Sequence, residues 1–278
     1  MKKSGCLLIL TLIFVGHSAE GAFEDFQSGI RAQGMGGAFT AVCDDQSAVQ
    51  WNPAGLLQTK TKIANFSAKR LYNIKGLNNL TANLVWPTQK LGHLALALQQ
   101  TGCELEHDQS FTFTQAFNLT GDLSFGYNLI AYRLWQERFG SALAFGVDLG
   151  FLATVYRRFR LGCFGHNLNN PKLGKIARYD LPQFLELGIS YRPFSGVVSS
   201  FDLYKEVGYS TVFKAGQEFT VIEKYLVLRA GVQGAPAPEP VRYALGFGSD
   251  WKKIHFNYAY QSHPVLSGTH QVGVGYEF

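Results

Sequence analysis

From about Ile63 to the last residue, apolar positions alternate with polar or small ones at a period of two. That is the repeat of a β-strand whose two faces meet different surroundings. The clearest run is 141–156, where Leu143, Phe145, Val147, Leu149, Phe151, Ala153 and Val155 share one face. Ala142, Ala144, Gly146, Asp148, Gly150, Leu152 and Thr154 share the other. Likewise Phe111, Phe113, Phe117 and Leu119 oppose Thr112, Thr114, Asn118 and Thr120, and Ile254, Phe256, Tyr258 and Tyr260 oppose His255, Asn257, Ala259 and Gln261. The pattern predicts strands at 63–72, 80–88, 91–100, 111–120, 122–133, 141–155, 157–168, 183–193, 197–205, 209–220, 225–233, 241–250, 253–262 and 269–278. About 14 strands is an even number, as in single-chain bacterial outer-membrane barrels.

The connections carry a separate signal. Those after the first, third, fifth, seventh and eleventh strands read as long: NIKGLNN, the stretch from Glu104 to Ser110, the stretch from Gln136 to Gly140, NNPKLGKIARYDLP and GAPAPEP. Those after the second, fourth, sixth and twelfth are nearly absent. Sorting by parity implies neighbouring antiparallel strands with one elaborated rim, the asymmetry of a transmembrane barrel. A soluble β-sandwich or lipocalin-like binder gives no reason for such sorting, and it requires polar outward faces where this chain has rows of Leu, Phe and Tyr. The fold class expected is therefore all-β, a transmembrane antiparallel barrel with its large apolar face toward lipid. The lumen-facing candidates are Asp148, Glu186, Arg192, Asp202, Lys214, Glu218, Arg229 and Arg242, with Asp250 and Glu277 on the same parity. Both signs are present, which predicts mutual pairing and not a charge-selective pore. The closing VGVGYEF places Val272, Val274, Tyr276 and Phe278 on one face. An aromatic end to an alternating last strand resembles the assembly signal of such barrels, with the barrel-assembly machinery as the implied partner.

Composition agrees. Charged residues make up 16% of the 278 residues, against about 25% in an average soluble domain. Aromatic content is 14% and glycine numbers 30, which excludes a disordered chain. The net charge of +5 is spread thinly, so no basic face points to nucleic acid. Lys2 and Lys3 precede an apolar run from Cys6 to Val15, and Ala19 and Gly21 sit like the small residues of a cleavage site. Residues 1–21 thus read as a secretory signal peptide, too short to span a bilayer. Three cysteines remain beyond it, Cys43, Cys103 and Cys163, with no metal-ligand spacing.

Residues 22–60 break the alternation. Within them stands SGIRAQGMGGAFTAVCDDQSAVQWNPAGLL. It lacks the glycine order of a dinucleotide fingerprint. Ser47 is placed to cap a short helix over 48–50, and Asn52-Pro53 to end it. The runs R-A-x-G-M-G-G-A-F-x-A-V-x-D-D and S-A-V-x-W-N-P-A-G-L closely resemble the N-terminal signature of FadL-like outer-membrane barrels, nearest the PorV/PorQ branch. GHNLNNP at 165–171, LPQFLELGISYRP at 181–193 and YLVLRAGVQ at 225–233 are similar to that branch too. Cys43 departs from the small residue expected there, and the chain is shorter than typical members. The resemblance implies 14 strands, 61–278, around an inserted N-terminal hatch, 22–60. It assigns Gly34, Met35, Gly36, Gly37, Asp44, Asp45, Asn52, Pro53 and Gly55 to the hatch as structural residues. The other reading of Asp44 and Asp45 is a cation or ligand site.

No catalytic or metal signature occurs: no HExxH among seven scattered histidines, no GxSxG, no cofactor motif. The chain is expected to be no enzyme, with no cofactor and no metal, although catalytic groups that converge only in space leave no such trace. Two functions remain. The PorV/PorQ resemblance implies a secretion accessory or docking barrel for a secretion-system or cargo protein. The alternative is FadL-like passive transport of hydrophobic small molecules such as long-chain fatty acids, for which Pro87 in the second strand is a candidate wall interruption. A lumen filled with paired charges favours docking; an apolar pocket with an opening in the wall favours transport.

Overall fold

The computed structural model describes residue 23 and residues 27–88, 90–174, 178–223, 225–236 and 240–278. The expected signal peptide, 1–21, lies outside them. Among the described residues sixteen strands form: β1 (Ile63–Arg70), β2 (Asn78–Pro87), β3 (His93–Gly102), β4 (Glu106–Asn118), β5 (Leu123–Gln136), β6 (Gly140–Val155), β7 (Phe159–His166), β8 (Lys172–Leu173), β9 (Tyr179–Asp180), β10 (Phe184–Tyr191), β11 (Val197–Glu206), β12 (Val212–Ile222), β13 (Leu226–Gly234), β14 (Arg242–Trp251), β15 (Ile254–Gln261) and β16 (Thr269–Glu277). All but β8 and β9 join one closed barrel of 14 strands in which β1 also pairs with β16. Every neighbouring pair is antiparallel, and the closing seam runs from Ile63↔Glu277 to Arg70↔His270. Each of the predicted strands is present.

Pairing transmits parity from strand to strand, so residues opposite one another face the same way. Ala131, Phe111, Leu98, Ala82, Phe66 and Val274 form one such row across six strands. Such rows stack into a continuous apolar belt. On β6, Leu143 is 64% exposed and Phe145 69%, whereas Asp148 on the opposite face is fully buried. An exposed belt of this size is incompatible with water and suits hydrocarbon. Exposed aromatics flank it: Trp86, Tyr156, Trp251 and Tyr276 toward one rim, Tyr209 and Tyr243 toward the other.

One expected loop is largely strand. Residues 106–110 continue the ladder of β4, with Glu106↔Gln136 and Gln109↔Arg133 as paired positions, while 137–139 form the expected turn between β5 and β6. Their polar composition imitates a loop, but their outward polar groups satisfy one another. Gln109 Nε2 donates to Gln100 Oε1 at 2.9 Å, and Arg133 Nη1 donates to Gln109 Oε1 at 3.3 Å. Strands β4, β5 and β6 therefore rise beyond the apolar belt on that side. The longest connection, 167–183, crosses the same rim and carries the β8–β9 hairpin. Pro87 pairs with His93 as the last residue of β2, so it ends a strand and does not interrupt the wall.

Candidate functional site

Residues 27–62 precede the barrel wall. They form α1 (Ile30–Gly34), α2 (Ala48–Trp51) and a 3₁₀ turn over Pro53–Gln58. Their polar groups bond to strands on opposite sides of the barrel, which places them in the lumen. Phe39 N and Thr40 N donate to Asp202 Oδ2 of β11 at 2.8 and 2.7 Å. Across the lumen, Gln50 Nε2 donates to Asn83 Oδ1 of β2 at 3.0 Å, and Asn128 Nδ2 of β5 donates to Val49 O at 2.9 Å. Asn52 Nδ2 donates to both Thr40 O and Phe151 O at 2.9 Å. The side chain of Asn52 also accepts from Ala54 N at 3.2 Å, and Pro53 opens the following 3₁₀ turn, so the Asn-Pro pair ends α2 as expected. The expected Ser47 cap takes another form. Asp45 Oδ1 accepts from Ser47 N at 2.8 Å and from its hydroxyl at 2.5 Å, while the Ser47 side chain caps nothing.

The glycines of the motif permit close contact with the wall. Gly36 has φ 65° and lies on the backbone of β13; a Cβ there would stand 2.6 Å from Val232 N. The wall answers in kind, since Gly216 and Gly231 abut Met35. Gly34 lies against Gly246, Gly37 beside Trp51, and Gly55 against Cys43. Met35 and Cys43 are fully buried. Burial pushes the Cys43 thiol up, with the nearby carboxylates adding to the effect, so it stays protonated.

The lumen charges pair with this segment. Arg31 grips Glu218 with both Nε and Nη2, at 2.7 and 2.8 Å, and also contacts Asp44 and Asp45. Arg229 shares Glu218 at 2.7 Å and donates to Asn257 Oδ1 at 2.8 Å. Arg192 closes the chain on Asp44 at 2.5 Å. Burial works to raise the Asp44 pKa, but the guanidiniums of Arg31 and Arg192 outweigh it and hold it at about 2. Asp44 and Asp45 thus spend their oxygens on arginine and on Ser47. A second pair, Lys214–Glu186 at 2.7 Å, receives Gln27, whose Nε2 donates to Glu186 Oε2 at 2.6 Å. Asp148 belongs to a third cluster that sequence reasoning missed. It meets His166 at 2.9 Å and accepts from Asn167 N at 2.9 Å, and Tyr132 OH donates to Asn167 Oδ1 at 3.0 Å. Asp250 and Glu277 flank His255 at 2.7 and 3.1 Å near the opposite rim.

Above the segment, toward the rim of the longer connections, lies a cavity of 280 Å³. Gln27, Gln33 and Trp51 contribute its floor, Phe184, Tyr204 and Lys214 its wall, and Arg242 and Gln261 its mouth. Arg242 is exposed there, while Asp148, Glu186, Asp202, Lys214, Glu218 and Arg229 are buried. Beside the cavity, Leu173 and Leu181 from the long connection pack with Phe23, Ile130, Leu134, Ala144 and Phe184. The barrel wall next to this cluster is incomplete. β7 pairs with β6 only from Leu149 to Val155. Above that, the long connection bonds to the bare edge of β6. Leu168 N donates to Val147 O at 2.9 Å, and the Asn169 amide bridges Val147 N and Phe145 O at 2.9 and 2.8 Å.

No protein-family model and no curated protein matches the chain. Solved structures do. A FadL homologue of Pseudomonas aeruginosa aligns over 90% of this chain and 98% of its own, at 13% identity and TM-score 0.67. The toluene transporter TodX of Pseudomonas putida aligns over 90% and 97%, at 13% identity and TM-score 0.65. The toluene transporter TbuX of Ralstonia pickettii aligns over 92% and 100%, at 14% identity and TM-score 0.68. The chain has the fold of these FadL-type barrels, and its apolar belt places it in the bacterial outer membrane.

Proposed function

We propose that the protein passes hydrophobic small molecules across the outer membrane without catalysis, with residues 22–60 acting as a hatch. The observation that carries this reading is the cavity beside the apolar cluster of Leu173 and Leu181, next to the one stretch of β6 edge that a side-chain amide covers. A ligand entering from the loop rim reaches aromatic walls, and the β6 edge above Leu149, covered by loop residues Leu168 and Asn169 and not by a strand, offers a sideways exit into lipid. An axial route is closed, because the segment and its ion pairs fill the lumen below the cavity. The two criteria drawn from the sequence thus divide: the lower lumen has paired charges, and the upper has a cavity of mixed aromatic and polar lining beside an apolar cluster. Two neighbouring structures are described as toluene transporters, which weighs toward transport. The docking role implied by the PorV/PorQ resemblance has no comparable support. Long-chain fatty acids and monoaromatic hydrocarbons are both candidate cargo, and Tyr276 with Phe278 is the segment we assign to the barrel-assembly machinery.

The test is uptake of radiolabelled palmitate and of toluene by proteoliposomes holding the purified protein. Saturable flux above that of empty vesicles, for either compound, supports transport. A folded barrel that moves neither overturns it.

A further inference from the structure

We infer a binding site for one phosphorylated lipid of the outer leaflet on the outside of the barrel, across β16 and β1 to β6. The inference depends on the barrel's orientation and not on what the lumen carries. Two adjoining hollows, of 510 and 590 Å³, share Phe66, Ala82, Leu98 and Phe111. Together they make one groove running from Arg133 and Gln109 at its upper end to Val274 and Tyr276 at its lower end. The groove exists because alanines interrupt rows of large residues. Ala82 stands between Leu98 and Phe66, and Ala131 lies beside Phe111. Such a trough, inside the apolar belt, fits an acyl chain.

The upper end supplies the head-group chemistry. Arg133, Gln109 and Gln100 are directly opposite one another on β5, β4 and β3. Their hydrogen bonds run one way, Arg133 to Gln109 to Gln100, and engage both amide oxygens. The excess on that face is of donors: the Gln100 amide hydrogens and the other guanidinium N–H groups. A cation backed by donors selects an anion, and guanidinium matches phosphate geometry. One row further out, His107 and Trp135 stack at 4.7 Å, an aromatic surface at interface height. Barrels of this class keep short turns inside and longer connections outside. Arg133 lies toward the rim crossed by 167–183, so the site faces the outer leaflet.

Native mass spectrometry of the delipidated full chain in detergent tests this, with dipalmitoyl phosphatidylglycerol and dipalmitoyl phosphatidylcholine as probes. One phosphatidylglycerol should be retained in preference to phosphatidylcholine. Arg133→Gln should reduce that preference about fivefold, the effect of one basic residue at a membrane surface. Lys205→Gln, which removes another outward cation, should leave it unchanged. Filling the groove with Ala82→Leu and Ala131→Leu should lower retention of both lipids, in a barrel shown folded by its heat-shifted gel mobility. Equal retention of the two lipids by the wild type, or a preference that survives Arg133→Gln, overturns the site.

Discussion

At the scale of single residues, the lumen is a set of shared carboxylates, and sharing decides which substitution hurts. Glu218 serves Arg31 and Arg229 together. Glu218→Gln leaves two buried guanidiniums facing a neutral amide, and loss of one partner from a buried pair costs about 3–5 kcal/mol. Arg31→Met is the milder change, because Glu218 keeps Arg229 and Asp44 keeps Arg192. Urea titration of the purified barrel in detergent should rank Glu218→Gln well below Arg31→Met in unfolding midpoint; the reverse order would refute the sharing argument. Asp44 gives a pH test. Its pKa is lowered from 3.8 to about 2. A lowered carboxylate stabilises the folded state above the unfolded value, and that contribution is lost as pH falls through the folded value. Amide protection factors across 38–52 should therefore hold down to about pH 4 and fall between about pH 4 and pH 2. In Asp44→Asn that fall should be absent and protection lower throughout. Parity alone fixes the direction expected of Asp148, Glu186, Asp202, Lys214, Glu218 and Arg229, and all six are buried. Parity does not show who holds whom. Arg31 and Glu218 are separated by 187 residues, and no local spacing encodes that meeting. His166 and Tyr132 were missed for the same reason, since neither is marked by a charge on an inward row.

At the scale of elements, alternation located every barrel strand, and errors arose only where polar residues continue a ladder. Residues 106–110 read as a loop because composition was allowed to outweigh period. The stretch above Leu149 is the inverse case, a wall without a strand. There Asn169 imitates one, its amide making the two bonds a neighbouring backbone would make. Nothing in NNPKLGKIARYDLP signals that role, because an asparagine in a loop is ordinary turn chemistry. Asn169→Ala should raise exchange at Val147 N and, on the transport reading, increase palmitate flux into proteoliposomes a fewfold. The barrel's unfolding midpoint should stay nearly constant, since only an edge contact is removed. Slower flux in a folded Asn169→Ala protein would argue against exit at this edge.

At the scale of the whole molecule, the wall and its contents are separable in sequence but coupled in space. Strand pairing closes the barrel without residues 22–58, whereas the glycines on both sides of the Met35 contact only make sense with the segment in place. The full chain should therefore show no steady conductance in planar bilayers, because backbone and ion pairs occupy the lumen from Arg31 to Arg192. Deleting 22–58 should leave a barrel that keeps its heat-shifted mobility yet opens a water-filled path lined by Glu186, Asp202, Glu218, Lys214 and Arg229. Those residues lose partners on deletion, but water then replaces the segment and solvates them, so the penalty of an unpaired buried charge is largely avoided. With both signs on the wall, the open path should discriminate weakly between potassium and chloride. A full chain that already conducts, or a folded deletion variant that stays silent, would show that something other than this segment sets the permeability of the barrel.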